Sequence, residues 1–374
     1  MENKPVFVTQ PSLPPLEEFI PYLETIWGSK VLSNGGVMTQ RLEEALCDYL
    51  GVKYISLFNN GTTALITALQ SLSLKGEVIT TPYSFVATAN ALLWNNLKPV
   101  FVDVDSFTCN INPEEIEKAI TPDTCAILPV HCYGNPCDID AIREVASKFD
   151  LKVIYDAAHA FGVEDSGGSV LRHGDLSILS FHATKVFNTF EGGAVVCHDK
   201  STKESLDSLK NFGFEDEENL SVAGLNGKMS EVNAAFGLLQ LDYIDELLMS
   251  RGEKDKYYRD KLNSIRGVRL LKPTGQTVCN YSYFPIVLKE SYPLSRDELY
   301  EELKKNNINA RRYFSPLISE FERYSVKKSK KEHQLENAKM ISSNVICLPF
   351  YPDLDLSTMD RVVRIISKFK CKAI

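Results

Sequence analysis

The sequence predicts an α/β protein in which a large, mostly parallel sheet domain precedes a smaller α+β domain. Seven short apolar runs in the first part of the chain have the length and composition of buried strands. Amphipathic helical segments separate most of these runs, and strands that alternate with helices form parallel sheets covered on both faces. The chain has 374 residues, of which 44% are hydrophobic, so it is long enough to build two cores.

The strands are predicted at 54–58, 77–82, 99–104, 126–131, 152–157, 176–181 and 193–198. Helical patterns occur before, between and after them, at 11–25, 39–50, 64–72, 113–120, 139–149 and 200–212. The last two strands are joined by a turn-rich link without a helical pattern. A link of this kind suits antiparallel neighbours, so this pair is predicted to break the parallel order.

The carboxy-terminal part is predicted to form a separate α+β domain. A long amphipathic helix is expected at 229–265, and the character of the sequence changes after Gly267. The later elements are predicted as a strand, a serine-capped helix, a strand and a closing helix, at 281–288, 295–306, 345–349 and 357–369. These patterns predict a large domain at 1–250, including an amino-terminal arm, and a small domain at 251–374.

Composition and charge argue against several classes of protein. A net charge of −8 disfavours a nucleic-acid or anionic membrane surface. No stretch approaches the roughly 18 apolar residues of a membrane helix, and the first residues lack the apolar core of a signal peptide. The nine cysteines include no CxxC pair, so we expect reduced thiols and no bound metal. The prediction is a cytoplasmic protein without nucleic-acid or membrane partners.

The segment 180–196 contains Lys185 and then Glu191-Gly192-Gly193, between the last two predicted strands. A lysine held between buried strands is costly unless its charge is paired or its amine is used covalently. Desolvation lowers the pKa of a lysine, and a neutral amine can attack a carbonyl to form a Schiff base. Taken alone, the segment is explained equally well by a solvated lysine in a surface loop.

Other polar segments follow predicted strands, and ligands of open α/β sheets bind at the carboxyl ends of the strands. Residues 59–65 form a glycine turn that opens a helix, where free amide groups suit a phosphate; a plain helix cap is the alternative. Asp156 ends a strand, where its carboxylate needs a cation such as a protonated pyridine nitrogen. His159 follows three residues later. A structural cap and an ordinary helix histidine are the alternatives for this pair.

An aromatic residue completes the set. Phe85, in the segment 82–88 after another strand, offers a face that either covers a ring or packs in the core. The sequence then contains a candidate phosphate site at 59–65, an acid for a ring nitrogen at Asp156 and an amine at Lys185. All three follow neighbouring predicted strands. Together these features describe a pocket for pyridoxal phosphate.

Ordered motifs along nearly the whole chain resemble the DegT/StrS family of sugar-nucleotide aminotransferases. They lie at 60–62, 84–88, 156–159, 180–185, 191–194 and 226–231, with further matches at 311–317 and 348–352. The resemblance implies a pyridoxal-phosphate-dependent transferase of fold type I, with the architecture of aspartate aminotransferase. It also implies a homodimer whose active sites are shared between the subunits.

The resemblance implies a role for each matching residue. Lys185 matches the lysine that binds pyridoxal 5'-phosphate covalently, and Asp156 matches the partner of its pyridinium nitrogen. Phe85 matches the residue stacked on the ring. His159 departs from the glutamine that many members hydrogen-bond to the phenolic oxygen, and a histidine makes that bond only in a suitable tautomer. The matching phosphate binders are Gly61, Thr62 and Ser180, together with Asn226 from the other subunit.

The lysine motif also bears on the substrate. Ser-Phe-His before the lysine and Glu-Gly-Gly after it resemble enzymes that aminate C4 of the sugar, whereas C3 enzymes more often carry a Ser-Phe-Tyr-Pro-Gly-Lys turn. The subgroup implies transfer from L-glutamate to dTDP-4-dehydro-6-deoxy-D-glucose, for O-antigen and lipopolysaccharide biosynthesis. Arg311, Arg312 and Tyr313 are candidates for substrate binding, because a guanidinium suits the donor carboxylate or the diphosphate. A surface pair on the small domain is the alternative for the two arginines.

Three rival functions are considered. A C3 aminotransferase, or a transaminase that forms the 4-amino-4,6-dideoxygalactose epimer, differs only in the position or stereochemistry of amination. Dehydratases of the same fold have histidine where this chain has Lys185. A non-catalytic regulator would be expected to lack Lys185 or Asp156, and both are present.

Overall fold

The computed structural model describes residues 4–220, 222–271, 277–325 and 334–369. Its strands are β1 (Val6–Phe7), β2 (Tyr54–Phe58), β3 (Glu77–Thr80), β4 (Lys98–Phe101), β5 (Thr124–Leu128), β6 (Lys152–Asp156), β7 (Glu164–Asp165), β8 (Gly168–Ser169), β9 (Leu176–Ser180), β10 (Gly193–Cys197), β11 (Val268–Leu270), β12 (Phe284–Leu288), β13 (Ile308–Asn309) and β14 (Val345–Leu348). Its helices are α1 (Leu16–Ser29), α2 (Val37–Leu50), α3 (Gly61–Ser71), α4 (Ala87–Trp94), α5 (Pro113–Ala119), α6 (Ile139–Phe149), α7 (Lys200–Leu209), α8 (Glu231–Asp242), α9 (Ile244–Leu262), α10 (Arg296–Lys305), α11 (Glu322–Ser325), α12 (Glu336–Asn344) and α13 (Leu356–Lys368). Over these ranges, no helix has both the length and the apolar character needed to cross a bilayer.

A sheet of seven strands lies at the centre of the larger part of the molecule, in the order β2-β10-β9-β6-β5-β3-β4. Neighbours from β9 to β4 run parallel, whereas β10 is antiparallel to both β2 and β9. All seven strands lie where the sequence predicts them. The predicted antiparallel pair is confirmed.

The reversed direction of β10 brings several strand ends together. Gly193, its first residue, pairs with Phe58 at the end of β2 and with Ser180 at the end of β9. On the other side of β9, Asp156 at the end of β6 pairs with Ile178. The carboxyl ends of β2, β6 and β9 therefore meet the start of β10 at one end of the sheet, where ligands of α/β proteins bind.

Apolar cores cover both faces of this sheet. Along β10, Ala194 and Val196 belong to a core shared with α1, α2 and α8, whereas Val195 and Cys197 belong to a core shared with α3. This alternation is the two-residue period of a strand buried on both faces. It explains why these strands are nearly continuous apolar runs in the sequence.

The carboxy-terminal elements build a second core. Strands β11, β12 and β14 form an antiparallel sheet, and Phe284 and Ile346 pack with Tyr258 of α9 and Val362 of α13. Strand β1 pairs in parallel with β13, so the amino-terminal arm is attached to these carboxy-terminal elements.

Several elements differ from the sequence prediction, which has no counterpart of β1, β7, β8, β11, β13, α4, α11 or α12. The single helix expected at 229–265 is divided into α8 and α9 at Tyr243, whose N–H bonds to Gln240 O and closes α8 with a tighter turn. Helix α4 is an additional element: it is apolar on nearly every side, so its sequence lacks an amphipathic period. The domain boundary expected near residue 250 falls within α9 and stays a prediction.

A buried carboxylate joins the first helices to α8. Glu231 is 2% exposed and accepts hydrogen bonds from the N–H groups of Met38 (2.8 Å) and Thr39 (3.1 Å) and from the Thr39 hydroxyl. It therefore caps α2 from another helix, where the helix dipole favours a negative charge. Gly36 leaves room for this group, because a Cβ there would lie 2.5 Å from the carboxyl carbon of Glu231.

Replacing Glu231 with alanine should lower the free energy of unfolding by about 2–4 kcal/mol, because several buried donors at the start of α2 lose their acceptor. Urea unfolding followed by circular dichroism measures the change. Glu44→Ala, on the exposed side of the same helix, is the matched control and should change it by less than about 0.5 kcal/mol. Equal losses in the two variants would contradict the capping role.

Candidate active site

Hydrogen bonds close the loop between β9 and β10. Phe181 N–H donates to Gly192 O at 2.8 Å and Thr189 N–H donates to Phe181 O at 2.9 Å, so pairing continues beyond the two strands. Asn233, on α8, donates its side-chain amide to Thr189 O at 2.6 Å and to a second carbonyl of the loop at 2.9 Å. The loop that presents the lysine is thus anchored on two strands and a helix.

Lys185 is partly buried in this loop. Burial lowers the pKa of its ammonium group to about 8, although the charge of Asp156 opposes the shift. The neutral amine, which is the form that attacks a carbonyl, is therefore available at far lower pH than in an ordinary lysine. The alternative of a freely solvated lysine does not describe this side chain.

Asp156 is 7% exposed at the end of β6. Its carboxylate accepts hydrogen bonds from the Thr88 hydroxyl at 2.7 Å and from Ala158 N–H at 3.2 Å. Burial raises the pKa of Asp156 above its usual value, while these two donors and the charge of Lys185 act in the opposite direction. A buried carboxylate held in this way gains from a further positive group, such as a protonated ring nitrogen.

His159 lies on the turn after β6 and is buried. Its Nδ1 accepts a hydrogen bond from Tyr133 N–H at 3.3 Å. Burial and the charge of Lys185 hold the pKa of the imidazole well below its ordinary value, so the ring is neutral. A neutral ring that accepts at Nδ1 carries its proton on Nε2. The structure therefore selects the tautomer that donates through Nε2.

The turn before α3 forms the candidate phosphate cradle. The Asn60 side chain caps the helix by accepting from Thr63 N–H, which leaves the N–H groups of Gly61 and Thr62 without a hydrogen-bond partner among the described residues. A Cβ on Gly61 would lie 2.9 Å from Ser180 Cβ, and a Cβ on Gly193 would lie 2.6 Å from the Gly61 nitrogen. Glycine at both positions lets the ends of β9 and β10 close against the start of the helix.

Phe85 lies on the turn between β3 and α4 and is 60% exposed. Its carbonyl accepts a hydrogen bond from Thr88 N–H at 3.1 Å, and Thr88 in turn holds Asp156. The alternative of core packing is therefore wrong for this ring, which stands next to the residues that support Asp156. Its stacking on a bound ring stays a prediction.

Asn226 is exposed and lies beside the turn before α3 of its own chain. Its carbonyl accepts a hydrogen bond from the Asn59 side-chain amide at 3.4 Å, and Asn59 N–H donates to Gly227 O at 2.7 Å. The backbone of this segment is thus fixed close to a phosphate cradle. The reach of its side chain into the other subunit stays a prediction.

Arg311 and Arg312 have different surroundings. The Arg312 guanidinium donates to Asp297 at 2.8 Å and lies 4.6 Å from the centre of the Tyr300 ring. Arg311 pairs with Cys347 through its backbone, and its exposed side chain makes no hydrogen bond within the described parts of the chain. Arg312 is therefore engaged in a surface pair, and Arg311 is the better candidate for a substrate anion.

Tyr313 follows Arg311 and Arg312 and contacts residues that pack around His159. Its carbonyl accepts hydrogen bonds from the Tyr83 hydroxyl at 3.0 Å and from the Tyr133 hydroxyl. The next residue, Phe314, stacks on the His159 ring with centroids 6.1 Å apart. The segment 311–314 thus packs beside the turn that carries two of the predicted site residues.

Three further candidates emerge only from the structure: Thr88, Tyr133 and Asn233. Thr88 lies in a motif that carries the family resemblance, but its bond to Asp156 depends on how α4 packs against β6. Tyr133 acts on His159 through a backbone N–H, which leaves no signature in a sequence. Asn233 follows the motif 226–231 by two residues, which is the signal that could have found it.

These groups fit pyridoxal phosphate. The site combines an amine with a lowered pKa, a buried carboxylate that gains from a positive partner, an imidazole that donates, and a helix start cleared of side chains. A cofactor with an aldehyde, a protonated ring nitrogen, a phenolic oxygen and a phosphate requires these four features. The fold and the site define the class of pyridoxal-phosphate-dependent transferases.

The chain belongs to the DegT/DnrJ/EryC1/StrS aminotransferase family, whose model matches residues 16–367. It is 61% identical over 368 residues to the dTDP-4-amino-4,6-dideoxy-D-glucose transaminase of Shigella dysenteriae, an alignment that covers 98% of this chain and 100% of the relative. The Escherichia coli enzyme of the same name is 50% identical over 367 residues, 98% of this chain and 99% of the relative. The structure of DesI in the presence of its TDP-sugar product matches with a TM-score of 0.92 at 33% identity, over 98% of this chain and 93% of that one. The predicted family and fold are confirmed.

The lowered pKa of Lys185 predicts how its reactivity depends on pH. Below about pH 8 the amine is mostly protonated and unreactive, and above it the amine is mostly neutral. The initial rate at which cofactor-free protein combines with pyridoxal phosphate should rise with pH, with a midpoint at about pH 8, and level off about one pH unit higher. With an ordinary lysine the midpoint of the rate would lie at about pH 10.4. Stopped-flow absorbance measures this rate.

Asp156→Asn provides the control for this pH profile. The charge of Asp156 raises the pKa of Lys185, so its removal should move the midpoint to lower pH. A midpoint that rises, or a wild-type rate that continues to climb well above pH 9, would contradict the assignment.

Proposed function

We propose that this chain is a pyridoxal-phosphate-dependent aminotransferase that transfers the amino group of L-glutamate to C4 of dTDP-4-dehydro-6-deoxy-D-glucose. The product is dTDP-4-amino-4,6-dideoxy-D-glucose. The single observation that carries the reaction type is Lys185, whose pKa is lowered to about 8 near the buried Asp156. The identities of 61% and 50% to two transaminases of that name support the substrate.

Bound pyridoxal phosphate supplies an electron sink for the bond changes at the substrate carbon next to nitrogen. The Lys185 amine would hold the cofactor aldehyde covalently, and the amine of L-glutamate would take its place there. The freed amine of Lys185 then moves a proton from and to the substrate carbon, as general base and general acid. The same side chain acts in both halves of the reaction, first with glutamate and then with the keto sugar.

Other side chains hold the reacting groups in place. The Asp156 carboxylate would pair with the ring nitrogen and favour its protonated form. His159 would donate through Nε2 to the phenolic oxygen, because its Nδ1 already accepts from Tyr133 N–H. The N–H groups of Gly61 and Thr62 and the hydroxyl of Ser180 would bind the phosphate.

Substrate recognition is assigned to the exposed groups around this pocket. Phe85, which is 60% exposed, would cover one face of the cofactor ring. The guanidinium of Arg311 binds either the donor carboxylate or the sugar diphosphate, since its planar fork suits both anions. Tyr313, two residues further along the chain, is the other candidate for contact with the substrate.

Exposed apolar side chains support assembly into a homodimer. Trp27, Leu32 and Val37 are 69%, 60% and 59% exposed, and they lie on α1, on the segment that leads to α2 and at the first position of α2. Large apolar groups clustered on a surface mark an interaction site. We assign this surface to a second copy of the chain, with Asn226 completing the partner's phosphate site. We further propose a cytoplasmic location and a role in the biosynthesis of O-antigen lipopolysaccharide.

An absorbance titration tests this function first. Purified protein is mixed with pyridoxal phosphate, then with L-glutamate, and then with dTDP-4-dehydro-6-deoxy-D-glucose. Glutamate should replace the band of the lysine-bound cofactor with that of the aminated cofactor, and the keto sugar should restore the first band. NMR of the product separates C4 from C3 amination and the gluco from the galacto epimer. A glutamate response without recovery by the sugar would reject this substrate and retain the aminotransferase.

Replacing Lys185 with alanine should lower turnover at least about a thousandfold, because both the covalent anchor and the proton carrier are lost. The circular dichroism spectrum and non-covalent binding of the cofactor should be retained. Lys118→Ala, at an exposed lysine, is the control and should keep wild-type turnover. A Lys185→Ala protein with wild-type turnover would refute the mechanism.

Replacing Arg311 with alanine should raise KM for L-glutamate or for the dTDP-sugar by about 10- to 100-fold, as expected for loss of a charge-assisted contact worth about 1.5–3 kcal/mol. Steady-state kinetics with each substrate varied in turn measures the effect. Arg312→Ala is the matched control, because it breaks a surface pair and should change both KM values by less than about twofold. If KM rises in Arg312→Ala and stays unchanged in Arg311→Ala, Arg312 binds the substrate anion and Arg311 does not.

A further inference from the structure

We propose that Asn280 and Ser282, which precede strand β12, are positioning residues that hold His159 in the orientation needed to contact the cofactor. This inference rests on the proposed function, since it concerns the same site. Both residues come from the carboxy-terminal half of the chain, whereas His159 lies on the turn that follows β6 of the central sheet. They therefore act on the site from a distant part of the sequence.

The two side chains converge on one carbonyl oxygen. Asn280 is 2% exposed, and its amide donates to His159 O at 2.7 Å and to Phe161 O at 2.9 Å. The Ser282 hydroxyl donates to His159 O at 2.8 Å. Asn280 Oδ1 accepts from Ser282 N–H at 3.2 Å, which links the two donors to each other.

The turn that carries His159 depends on such outside support. After Asp156 the chain leaves the sheet and forms a turn without regular pairing at residues 157–161. The His159 carbonyl receives its two donors from 121 and 123 residues away, and the ring nitrogen Nδ1 receives Tyr133 N–H. Both the backbone and the ring of His159 are therefore fixed by hydrogen bonds from other segments.

The space around this carbonyl is closed on a further side. A Cβ on Gly134 would lie 2.6 Å from Asn280 Oδ1 and 2.8 Å from His159 O. Gly134 has a positive φ of 87°, which glycine adopts without strain. A side chain at this position would separate Asn280 from the turn, so three segments meet at a point that only a small residue allows.

The segment that carries Asn280 and Ser282 is itself held by contacts with other residues. Arg251, buried on α9, donates to Tyr281 O at 3.2 Å, between the two positioning residues. The ring of Tyr283 packs edge-on against His159 with centroids 5.0 Å apart. The segment 280–283 therefore forms one wall of the turn, and a shift of this wall would move the imidazole.

The experiment compares four variants of the full-length chain. Ser282→Ala removes one donor to His159 O, Ser282→Thr retains the hydroxyl, and Asn280→Asp keeps the shape while it removes both N–H donors. Thr277→Val is the matched control, because the Thr277 hydroxyl donates to Asp165 O at 2.9 Å in the same segment but does not touch His159. If Asn280→Asp fails to fold, the serine pair and the threonine control still decide the question.

Three measurements are made on each variant. Hydrogen exchange at residues 158–161 is followed in the protein with and without pyridoxal phosphate. The rate of cofactor loss is measured on dilution of the loaded protein, and kcat and KM for glutamate are measured in single-turnover reactions. Ser282→Ala should speed exchange and cofactor loss by about three- to tenfold and lower kcat similarly, with KM within about twofold, as expected for loss of one hydrogen bond. Ser282→Thr and Thr277→Val should match wild type.

The proposal is overturned if folded Ser282→Ala and Asn280→Asp match Thr277→Val in all three measurements. It is also overturned if only global stability falls, with no local change in exchange at residues 158–161. Failure of the proposed function looks different, because wild-type protein would then bind no cofactor. In that case exchange in the cofactor-free protein still reports whether Asn280 and Ser282 hold the turn.

Discussion

The insertion of β10 between β2 and β9 is the constraint on which the site depends. Because β10 returns antiparallel to β9, the lysine loop is short and paired at both ends. The same pairing brings Gly193 close to the start of α3. A Cβ on Gly193 would lie 2.6 Å from the Gly61 nitrogen. Strand β10 thus connects the loop that carries Lys185 to the candidate phosphate cradle at the start of α3. A shift of one residue in its register would exchange the two buried faces of the strand, so the packing of both cores protects the geometry of the site.

Burial works against charge on all three central side chains. It raises the pKa of Asp156 and lowers those of Lys185 and His159. Two of these shifts suit the proposed chemistry: the amine of Lys185 is more readily neutral and nucleophilic, and the imidazole of His159 stays neutral and donates. The aspartate alone is moved away from the form it needs. A bound cation would reverse this, because an opposite charge favours the carboxylate, so cofactor binding and ionisation of Asp156 support each other.

The site is assembled from both halves of the chain. The central sheet supplies the lysine, the aspartate and the helix start, whereas the segments 280–283 and 311–314 surround His159 from the carboxy-terminal side. The aromatic rings of Tyr133, Tyr283 and Phe314 fill the space between them. The hydrogen bonds between the two halves form only when both halves are packed correctly. The geometry of the site therefore depends on the folding of the whole chain.

Local patterns in the chain predict the seven strands and most helices, and they place the lysine, the aspartate and the glycine turn after predicted strands, because apolar period and strand-end polarity are properties of neighbouring residues. They were insufficient where the outcome depended on residues far apart. The tautomer of His159 follows from a backbone N–H of Tyr133, the pairing of Arg312 follows from Asp297, and the exposure of Phe85 follows from the packing of α4. Such contacts leave no periodic or compositional trace, since a backbone donor is common to nearly every residue and a surface arginine has the same sequence whether it is paired or free. Tertiary packing alone therefore decided which nitrogen donates, which guanidinium is available and which aromatic ring faces outward.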